Sequence, residues 1–367
     1  MNAVKPVKLI IVGGFLGAGK TTSILALANR LAEQSYRVGL VTNDQGSRLV
    51  DTEYLRQSGF PVLEVNGGCF CCNFDQFADR LATLQETDYP DYILAEPVGS
   101  CTDLVATLLK PLRQAGRAPV ALAPLSVVVD PQRLDRVMMD ANSPFPNEIN
   151  YLFGKQLEEA DLVILNKTDQ LDPERIARMT GYLNTGYPGA VVLPVSARDG
   201  AGIEAWADML LTRDADPGRK SLEIVYDTYA SAEESLGWVN CTARMTAPES
   251  FDGNLASTML MEGIREALSK RGDEIAHLKA YLVAGNDFVK QSLVSLGDSL
   301  STDHRMSVPT RDATVVLNIR ALADPAVLKE IILNHLTGTA AHFGATLSEP
   351  VSEAFRPSYP KPVYRIS

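Results

Sequence analysis

The sequence predicts an α/β domain built on a mostly parallel sheet, followed by a smaller α+β domain. Three observations support this prediction. Short apolar runs alternate with amphipathic stretches through about the first 210 residues. A glycine-rich loop directly follows the first of these runs. The pattern then changes beyond a polar segment that contains Pro-Gly, residues 213–220, and a chain of 367 residues is long enough for two domains.

The elements of the first domain follow from its apolar runs. Continuous runs rich in Val, Ile and Leu predict strands that are buried on both faces. Such runs lie at residues 7–12, 38–42, 61–65, 92–95, 126–129, 162–165 and 191–195. Amphipathic patterns between and after them predict helices at residues 21–34, 74–85, 102–112, 173–184 and 203–211. Because strands and helices alternate, we expect right-handed crossovers and a parallel sheet.

The part of the chain beyond the polar segment has the pattern of an α+β domain. Strands are predicted at residues 237–246, 277–283, 288–294 and 314–319, and helices at 255–269 and 325–343. The final residues carry regularly spaced prolines and predict an extended tail. The expected boundaries are 1–212 for the first domain, 213–221 for a linker, 222–350 for the second domain and 351–367 for the tail.

Composition limits the classes of partner. The 34 basic and 45 acidic side chains give a net charge of −11. This balance argues against nucleic acid and anionic membranes as partners, since both require a basic surface. No apolar stretch has the length of a membrane span, and the N-terminal residues lack the pattern of a signal peptide. The five cysteines do not resemble a secreted disulfide framework, so we expect a cytoplasmic protein.

Residues 14–21 read Gly-Phe-Leu-Gly-Ala-Gly-Lys-Thr and fit the phosphate-loop pattern G-x-x-x-x-G-K-[ST] at every fixed position. The loop follows a predicted strand and opens a predicted helix, which is the context of P-loop NTPase domains. Backbone N–H groups and the helix N-terminus then surround phosphate oxygens. We expect Lys20 to reach the β- and γ-phosphates and the Thr21 hydroxyl to bind Mg²⁺. The phosphate-binding candidates are Gly14, Gly17, Ala18, Gly19, Lys20, Thr21 and Thr22.

A candidate for base recognition follows the strand predicted at residues 162–165. The sequence there is Asn166-Lys167-Thr168-Asp169. The Asp169 carboxylate can accept hydrogen bonds from N1–H and the 2-amino group of guanine, and adenine lacks this pair of donors, so GTP is the expected nucleotide. Ser196 and Ala197 fit a second base-contacting loop after the strand at residues 191–195. A P-loop ATPase of the assembly or partitioning type is the alternative, and Asp169 argues against it.

Two carboxylates follow predicted strands beside the phosphate loop. Glu96 follows the run at residues 92–95, where a carboxylate can hold Mg²⁺ through water or position the attacking water. Gly99 offers an N–H that can contact the γ-phosphate. Asp44 follows the second strand, in the expected first switch loop, where it could contact Mg²⁺, activate water or bind a metal. Lys20, Glu96 and Asp44 are therefore the catalytic candidates.

Three cysteines, Cys69, Cys71 and Cys72, lie within four residues after a Gly-Gly pair. The glycines permit the turn that lets the three thiols converge. Three thiolates suit Zn²⁺, Cu⁺ or another thiophilic ion. A fourth ligand position is then open to water, to Asp44, to a ligand from a partner or to a second chain. An incomplete site of this kind suits transfer of a metal better than its storage.

Other interpretations of the cysteines stay open. The cluster could be small buried hydrophobes, or a redox switch in which a Cys69–Cys72 disulfide is favoured over a strained bridge between neighbours. Cys101 and Cys241 are isolated in the sequence, and we expect them to be core or helix-start residues. Four histidines in the second domain are not expected to bind metal: His277, His304, His335 and His342.

The motifs at residues 14–22, 67–72, 96–99 and 166–169 resemble, in order and spacing, those of the CobW-like metallochaperone GTPases, relatives of the urease-accessory and hydrogenase nickel-insertion GTPases. The resemblance covers most of the first 210 or so residues. Two motifs depart from the family pattern. Asp44 replaces the usual Glu, and residues 96–99 read Glu-Pro-Val-Gly, without the usual hydroxyl residue.

The resemblance implies slow hydrolysis of GTP, bound Mg²⁺ and a transition-metal site at Cys69, Cys71 and Cys72. Zn²⁺ is the first expectation for that metal, with Co²⁺ or Ni²⁺ as alternatives. It also implies a client protein, a metalloenzyme or a corrinoid-dependent enzyme or its assembly factor, and a nucleotide-dependent homodimer. Our leading hypothesis is that the metal and the nucleotide affect each other's binding. A GTPase regulated by oxidation of the same cysteines is the alternative.

Overall fold

The computed structural model describes residues 6–44, 50–115, 120–139, 143–216 and 221–367. The described residues form two compact units. The first comprises those within Met1–Gln45, Ser58–Tyr229 and Tyr359–Ser367, and the second those within Gly46–Gln57 and Ala230–Ser358. The boundaries expected from the sequence place residues 50–57 in the first domain, residues 222–229 in the second domain and the whole of 351–367 in a separate tail. In the structure residues 50–57 belong to the second unit and residues 222–229 to the first, while residues 351–358 belong to the second unit and 359–367 to the first.

The first unit is built on an eight-stranded sheet whose pairings are all parallel. Its order is β3-β2-β4-β1-β6-β7-β8, with β5 paired to β1. The apolar runs predicted these strands because both faces of the sheet are covered and the side chains of Ile10, Leu94 and Ile164 are fully buried. The strands are β1 (Val7–Gly13), β2 (Val38–Asp44), β3 (Val62–Asn66), β4 (Tyr92–Glu96), β5 (Val120–Leu122), β6 (Ser126–Val129), β7 (Leu162–Leu165) and β8 (Val191–Pro194).

The helices of the first unit connect these strands, as the amphipathic patterns predicted. In α1, for example, Ile24, Leu27 and Leu31 recur at helical spacing and are buried. These helices are α1 (Lys20–Glu33), α3 (Phe74–Thr87), α4 (Lys110–Ala115), α5 (Pro131–Leu134), α6 (Asn147–Glu158), α7 (Pro173–Gly186) and α8 (Ile203–Thr212). Short π-helical stretches precede α4 and follow α5, at Val105–Leu109 and Asp135–Met139. A further helix, α9 (Tyr226–Glu234), contains the boundary between the two units.

The second unit confirms the α+β prediction. Its sheet has seven antiparallel strands in the order β12-β11-β10-β13-β9-β14, with β15 paired to β9. Buried residues of two long helices, such as Leu260 and Ile332, share one core with the sheet. The helices are α10 (Gly253–Arg271) and α11 (Pro325–His342), and the strands are β9 (Gly237–Phe251), β10 (Ile275–Ala284), β11 (Asp287–Leu293), β12 (Ser301–His304), β13 (Thr310–Ala321), β14 (Thr346–Leu347) and β15 (Val351–Phe355).

One short helix, α2 (Val50–Arg56), belongs to the second unit although it follows β2 in the sequence. The Val50 N–H donates to Asn318 Oδ1 at 2.9 Å, and Asp51 forms an ion pair with Lys279. The ring of Tyr54 lies against Lys290, whose Nζ is 3.8 Å from the ring centroid. Because these are contacts to β10, β11 and β13, the segment is held by the antiparallel sheet.

Several elements were absent from the sequence prediction. The helices α2, α5, α6 and α9 were not predicted, and neither were the short strands β5, β12, β14 and β15. The tail predicted as extended begins with β15, which pairs with β9 from Val351↔Thr242 to Phe355↔Trp238. A membrane-spanning helix was not expected. Within the described ranges no helix combines the length and apolar character that a span requires.

Candidate functional site

The phosphate loop, residues 14–21, connects β1 to α1. Gly14, Gly17 and Gly19 all have positive φ, at 128°, 79° and 93°, which side chains rarely tolerate. A Cβ on Gly14 would lie 2.2 Å from the backbone oxygen of Val128, so β6 also requires glycine there. Gly19 precedes the first turn of α1, whose backbone N–H groups suit an anion. The loop therefore has the local geometry of a phosphate cradle.

Three buried side chains lie next to this loop: Lys20, Thr21 and Glu96. The Lys20 ammonium donates to the Phe15 backbone oxygen at 3.3 Å. The Thr21 hydroxyl donates to Glu96 Oε1 at 3.1 Å, across α1 and the end of β4. A hydroxyl and a carboxylate in contact are hard oxygen donors of the kind that Mg²⁺ prefers. The chemistry of these residues therefore fits a magnesium ion.

The loop after Glu96 lies against the phosphate loop. A Cβ on Gly99 would lie 3.0 Å from Lys20 Nζ and 2.8 Å from Leu16 Cδ2, so only glycine fits without displacing them. The side chain of Gln156 in α6 fixes this loop, because its amide donates to the backbone oxygens of Gly99 at 3.0 Å and Cys101 at 2.8 Å. Gly99 and Cys101 are thus held by one amide group.

The candidate base-binding residues lie at the ends of β7 and β8. The Asn166 amide donates to the Ala18 backbone oxygen at 3.0 Å, and the Lys167 ammonium donates to the Gly17 backbone oxygen at 3.0 Å. Asp169 accepts a hydrogen bond from the Ser196 hydroxyl at 2.9 Å, and the N–H of Ala197 donates to Asn166 Oδ1 at 3.1 Å. These contacts join the two candidate base loops to the phosphate loop.

Asp130, which follows β6, was not singled out from the sequence. Its carboxylate caps α5 by accepting from the Arg133 N–H and forms an ion pair with Lys167 at 2.7 Å. Burial opposes its ionisation, but the Lys167 charge and the two hydrogen bonds outweigh burial, so the pKa of Asp130 lies below its usual value. A buried carboxylate thus orients Lys167.

The thiol cluster, Cys69, Cys71 and Cys72, lies in the loop between β3 and α3. The three sulfur atoms lie within 4.8 Å of one another. Among the described residues, these cysteines form the cluster of side chains that could hold a metal ion. Cys69 Sγ is 2.8 Å from Cys71 Sγ and 3.1 Å from Cys72 Sγ, and the last two are 3.9 Å apart. In a tetrahedral zinc site with Zn–S bonds of about 2.3 Å, sulfur atoms lie about 3.8 Å apart. Small movements would therefore accommodate a metal ion.

Asn43, near the end of β2, fixes the loop that carries the thiol cluster. Its amide donates to the backbone oxygens of Val65 at 3.1 Å and Gly68 at 2.7 Å, and its oxygen accepts from the Phe70 N–H at 2.8 Å. Gly67 and Gly68 have φ of 81° and 148°, as the sequence prediction of a turn requires. The buried amide therefore connects the cluster to the strand that precedes the expected first switch loop.

Cys101 is buried, as expected of a core residue, but in the fold it is not isolated from the other cysteines. Its thiol is hydrogen-bonded to both Cys69 and Cys71. Together with the thiols of Cys71 and Cys72, it lowers the pKa of Cys69 well below the ordinary thiol value. Hydrogen bonding with Cys101, and to a smaller extent with Cys69, raises the pKa of Cys71. Hydrogen bonding with Cys69, together with burial, raises the pKa of Cys72 to about 11. Cys101 therefore borders the thiol cluster, although its sulfur is not among the three ligand atoms that all lie within 4.8 Å of one another.

The last residues of the chain cross the same side of the first unit. The Val363 N–H donates to the Cys71 backbone oxygen at 2.9 Å, and the rings of Tyr364 and Phe74 meet edge to face at 5.0 Å. The Arg365 guanidinium donates to the buried Asp103 carboxylate at 2.7 Å. The tail therefore lies beside the thiol cluster.

The structure places most of the candidate residues along the carboxyl edge of the parallel sheet. The side chain of Asp44 lies outside the described part of the structure, as do residues 45–49 of the expected switch loop, so its predicted roles stay predictions. Four residues that support this site were missed: Asn43, Cys101, Asp130 and Gln156. The position of Cys101 could have indicated its role, because it lies only five residues after Glu96, the last residue of the central strand β4.

Residues 8–194 match the family model described as CobW/HypB/UreG, nucleotide-binding domain. The zinc chaperone CobW of Pseudomonas aeruginosa is 30% identical over 233 residues, which cover 54% of this chain and 58% of that protein. The zinc chaperone YeiR of Escherichia coli is 33% identical over 168 residues, 45% of this chain and 47% of that protein. The chain thus spans about half the length of the curated relatives it matches.

Similar solved structures include HypB from Helicobacter pylori in complex with nickel, with a TM-score of 0.40 and 17% identity over 56% of this chain and 86% of that one. The Zn(II)-bound YjiA GTPase from Escherichia coli has a TM-score of 0.34 and 16% identity, and the match covers 92% of this chain and 99% of that chain.

Proposed function

Because the chain belongs to the CobW/HypB/UreG family, we propose that it is a GTP-dependent metallochaperone that carries zinc to a client metalloenzyme. One observation carries this proposal. The thiol cluster and the phosphate loop lie at the carboxyl edge of one parallel sheet, and the loop from Glu96 to Cys101 contacts both. The edge where such sheets bind ligands therefore offers one site for phosphate and another for a soft metal.

In the proposed reaction, the backbone of residues 14–19 and the Lys20 ammonium hold the phosphates of GTP. Thr21 and Glu96 hold Mg²⁺, which would neutralise charge on the phosphate oxygens during transfer to water. Asp169 accepts the two guanine donors, while Asn166 and Lys167 brace the phosphate loop through the contacts described above. Asp44 is the candidate for positioning water. Hydrolysis is proposed to be slow, to GDP and phosphate.

The cargo is proposed to bind at Cys69, Cys71 and Cys72. Names of two similar proteins include the words zinc chaperone, and three thiolates suit Zn²⁺, with Co²⁺ or Ni²⁺ as further candidates. A client metalloenzyme or its assembly factor, in the cytoplasm, would receive the ion. Self-association in the nucleotide-bound state is part of the same proposal.

The test is zinc binding by the metal-free protein, measured by competition with a chromophoric chelator. Wild-type protein is expected to bind one Zn²⁺ per chain, and Cys71→Ser should bind it at least about 100-fold more weakly, because the substitution removes one of the thiolates that hold the ion. The matched control is Cys241→Ser, because Cys241 is also a buried cysteine but lies in β9 of the second unit. Equal zinc affinities for wild-type and Cys71→Ser protein would refute the metal site.

A redox switch is a second candidate function, favoured by the 3.1 Å distance between Cys69 Sγ and Cys72 Sγ. Mild oxidation would then form a reversible bridge between these two residues and change the rate of GTP hydrolysis. Mass spectrometry of the oxidised protein distinguishes the two functions. A zinc-loaded protein that resists oxidation at both positions supports the chaperone, and a bridge that forms in the presence of stoichiometric zinc supports the switch.

A further inference from the structure

Cys101 provides a fourth thiol where the expected metal site has only three. Its side chain is 3% exposed, and its thiol is hydrogen-bonded to Cys69 and Cys71. It reaches them from a different part of the chain, since the cluster follows β3 and Cys101 follows β4. In the sheet, β3 and β4 flank β2, so the loops after them leave from the same edge two strands apart. Two separate loops therefore bring thiols into hydrogen-bond contact, and a small further approach of Cys101 would join it to the three sulfurs that lie within 4.8 Å of one another.

Both loops are held by buried amide side chains. Asn43, at the end of the intervening β2, fixes the loop of the thiol cluster through three hydrogen bonds. Gln156 fixes the other loop by donating to the backbone oxygens of Gly99 and Cys101. An amide held in this way positions a thiol without itself being a metal ligand. Each of the two cysteine-bearing loops is thus held in place by its own buried amide side chain.

The surroundings also suit a cluster of thiolates. The side chains of Cys69 and Cys71 are 6% and 3% exposed, which leaves little room for water as a ligand. Backbone N–H groups lie close to two of the sulfurs, that of Cys72 at Cys69 and that of Lys361 at Cys72. Such donors stabilise the charged form of a thiol. Zn²⁺ bound in a closed site most often has four ligands in a tetrahedron, and four cysteines are a common set.

We propose that Cys101 is the fourth ligand of the metal ion that Cys69, Cys71 and Cys72 bind. The inference rests on the proposed metal site and extends it, because it replaces the open position with a thiolate from the loop that follows Glu96. Only one residue, Ser100, separates Cys101 from Gly99, which lies against Lys20 of the phosphate loop. A contact between the γ-phosphate and this loop would therefore move a metal ligand directly.

Cobalt spectroscopy of the metal-free, reduced protein tests the proposal. The intensity of the thiolate-to-Co²⁺ charge-transfer band scales with the number of bound thiolates, and the visible bands report tetrahedral geometry. Three variants are compared with the wild type: Cys101→Ser, Cys241→Ser and Asp44→Asn. Thermal melts of the metal-free variants establish that each is folded. Zinc affinity is measured on the same samples with a competing chelator.

In the wild type we expect a charge-transfer band with the intensity of four bound thiolates, and Cys101→Ser should lose about a quarter of that intensity. Zinc affinity of Cys101→Ser should fall on the order of a hundredfold. Cys241→Ser and Asp44→Asn should match the wild type.

A wild-type band with the intensity of three thiolates that Cys101→Ser leaves unchanged would overturn the inference but preserve the proposed metal site. If Asp44→Asn alone weakens zinc binding, the fourth ligand is that carboxylate and the inference is wrong. A wild-type protein without any thiolate band would contradict the proposed function itself.

Discussion

Asn43→Ala should loosen the loop that carries the thiol cluster. The buried Asn43 side chain makes three hydrogen bonds, to Val65, Gly68 and Phe70, and alanine removes all of them. At about 1 kcal/mol net for each bond, the loss is about 3 kcal/mol. For a unit of this size, each kcal/mol lowers Tm by roughly 2–4 °C, so we expect a decrease of about 6–12 °C in the metal-free protein.

The same change should weaken zinc binding. In the wild type the loop is ordered before the metal arrives, whereas in Asn43→Ala the binding energy of zinc must also order the loop. If the full 3 kcal/mol is transferred to binding, zinc affinity falls by about 100-fold, and a value between 10- and 100-fold is expected.

Calorimetric melting and chelator competition measure the two effects. Asn184→Ala, an exposed asparagine on α7, is the matched control and should behave as wild type. A Tm within about 1 °C of wild type, together with unchanged zinc affinity, would refute the role given to the amide.

Three further predictions concern the nucleotide and the second unit. Lys20→Ala should reduce GTP affinity by more than about 100-fold, measured with a fluorescent GTP analogue, since the ammonium is the cation that the phosphate loop directs at the phosphates; a loss below threefold would contradict its role. Asp169→Asn should reduce the preference for GTP over ATP by on the order of 30- to 100-fold in a competition assay, and an unchanged ratio would remove Asp169 as the guanine reader. In α2, burial opposes ionisation of Asp51, but Lys279 and Lys290 outweigh it and the net pKa lies below the usual value. A lowered folded-state pKa gives stability that is present above the unfolded value of about 3.9 and is lost as pH falls below it. Urea unfolding between pH 6 and 3 should therefore show a smaller acid-induced loss of stability for Asp51→Asn than for wild type, and parallel curves would refute this.

The parallel sheet and the phosphate loop could be predicted from the sequence because the signals are local. Runs such as residues 162–165 are apolar throughout, and the strand-loop-helix context of residues 14–21 requires no knowledge of distant contacts. For the same reason the three adjacent cysteines were recognised as a possible metal site. Their spacing alone brings the thiols within reach once Gly67 and Gly68 make the turn.

Cys101 could not be assigned in the same way. It lies 101 − 72 = 29 residues beyond Cys72, and only the strand order β3-β2-β4 shows that the two loops leave the same edge of the sheet. The helix α2 illustrates the same limit. Its seven residues carry no strong helical period, and its formation depends on contacts such as Val50 with Asn318, which is 268 positions away. Local pattern gives no information about contacts of that kind.

The central claim is that the metal and the nucleotide affect each other's binding through the loop from Glu96 to Cys101. The most direct measurement is isothermal titration of Zn²⁺ into the protein with and without a non-hydrolysable GTP analogue, followed by titration of the analogue with and without Zn²⁺. Because coupling is reciprocal, both ratios should equal the same factor, of about 5- to 150-fold. Equal zinc affinities in the two nucleotide states would contradict the claim.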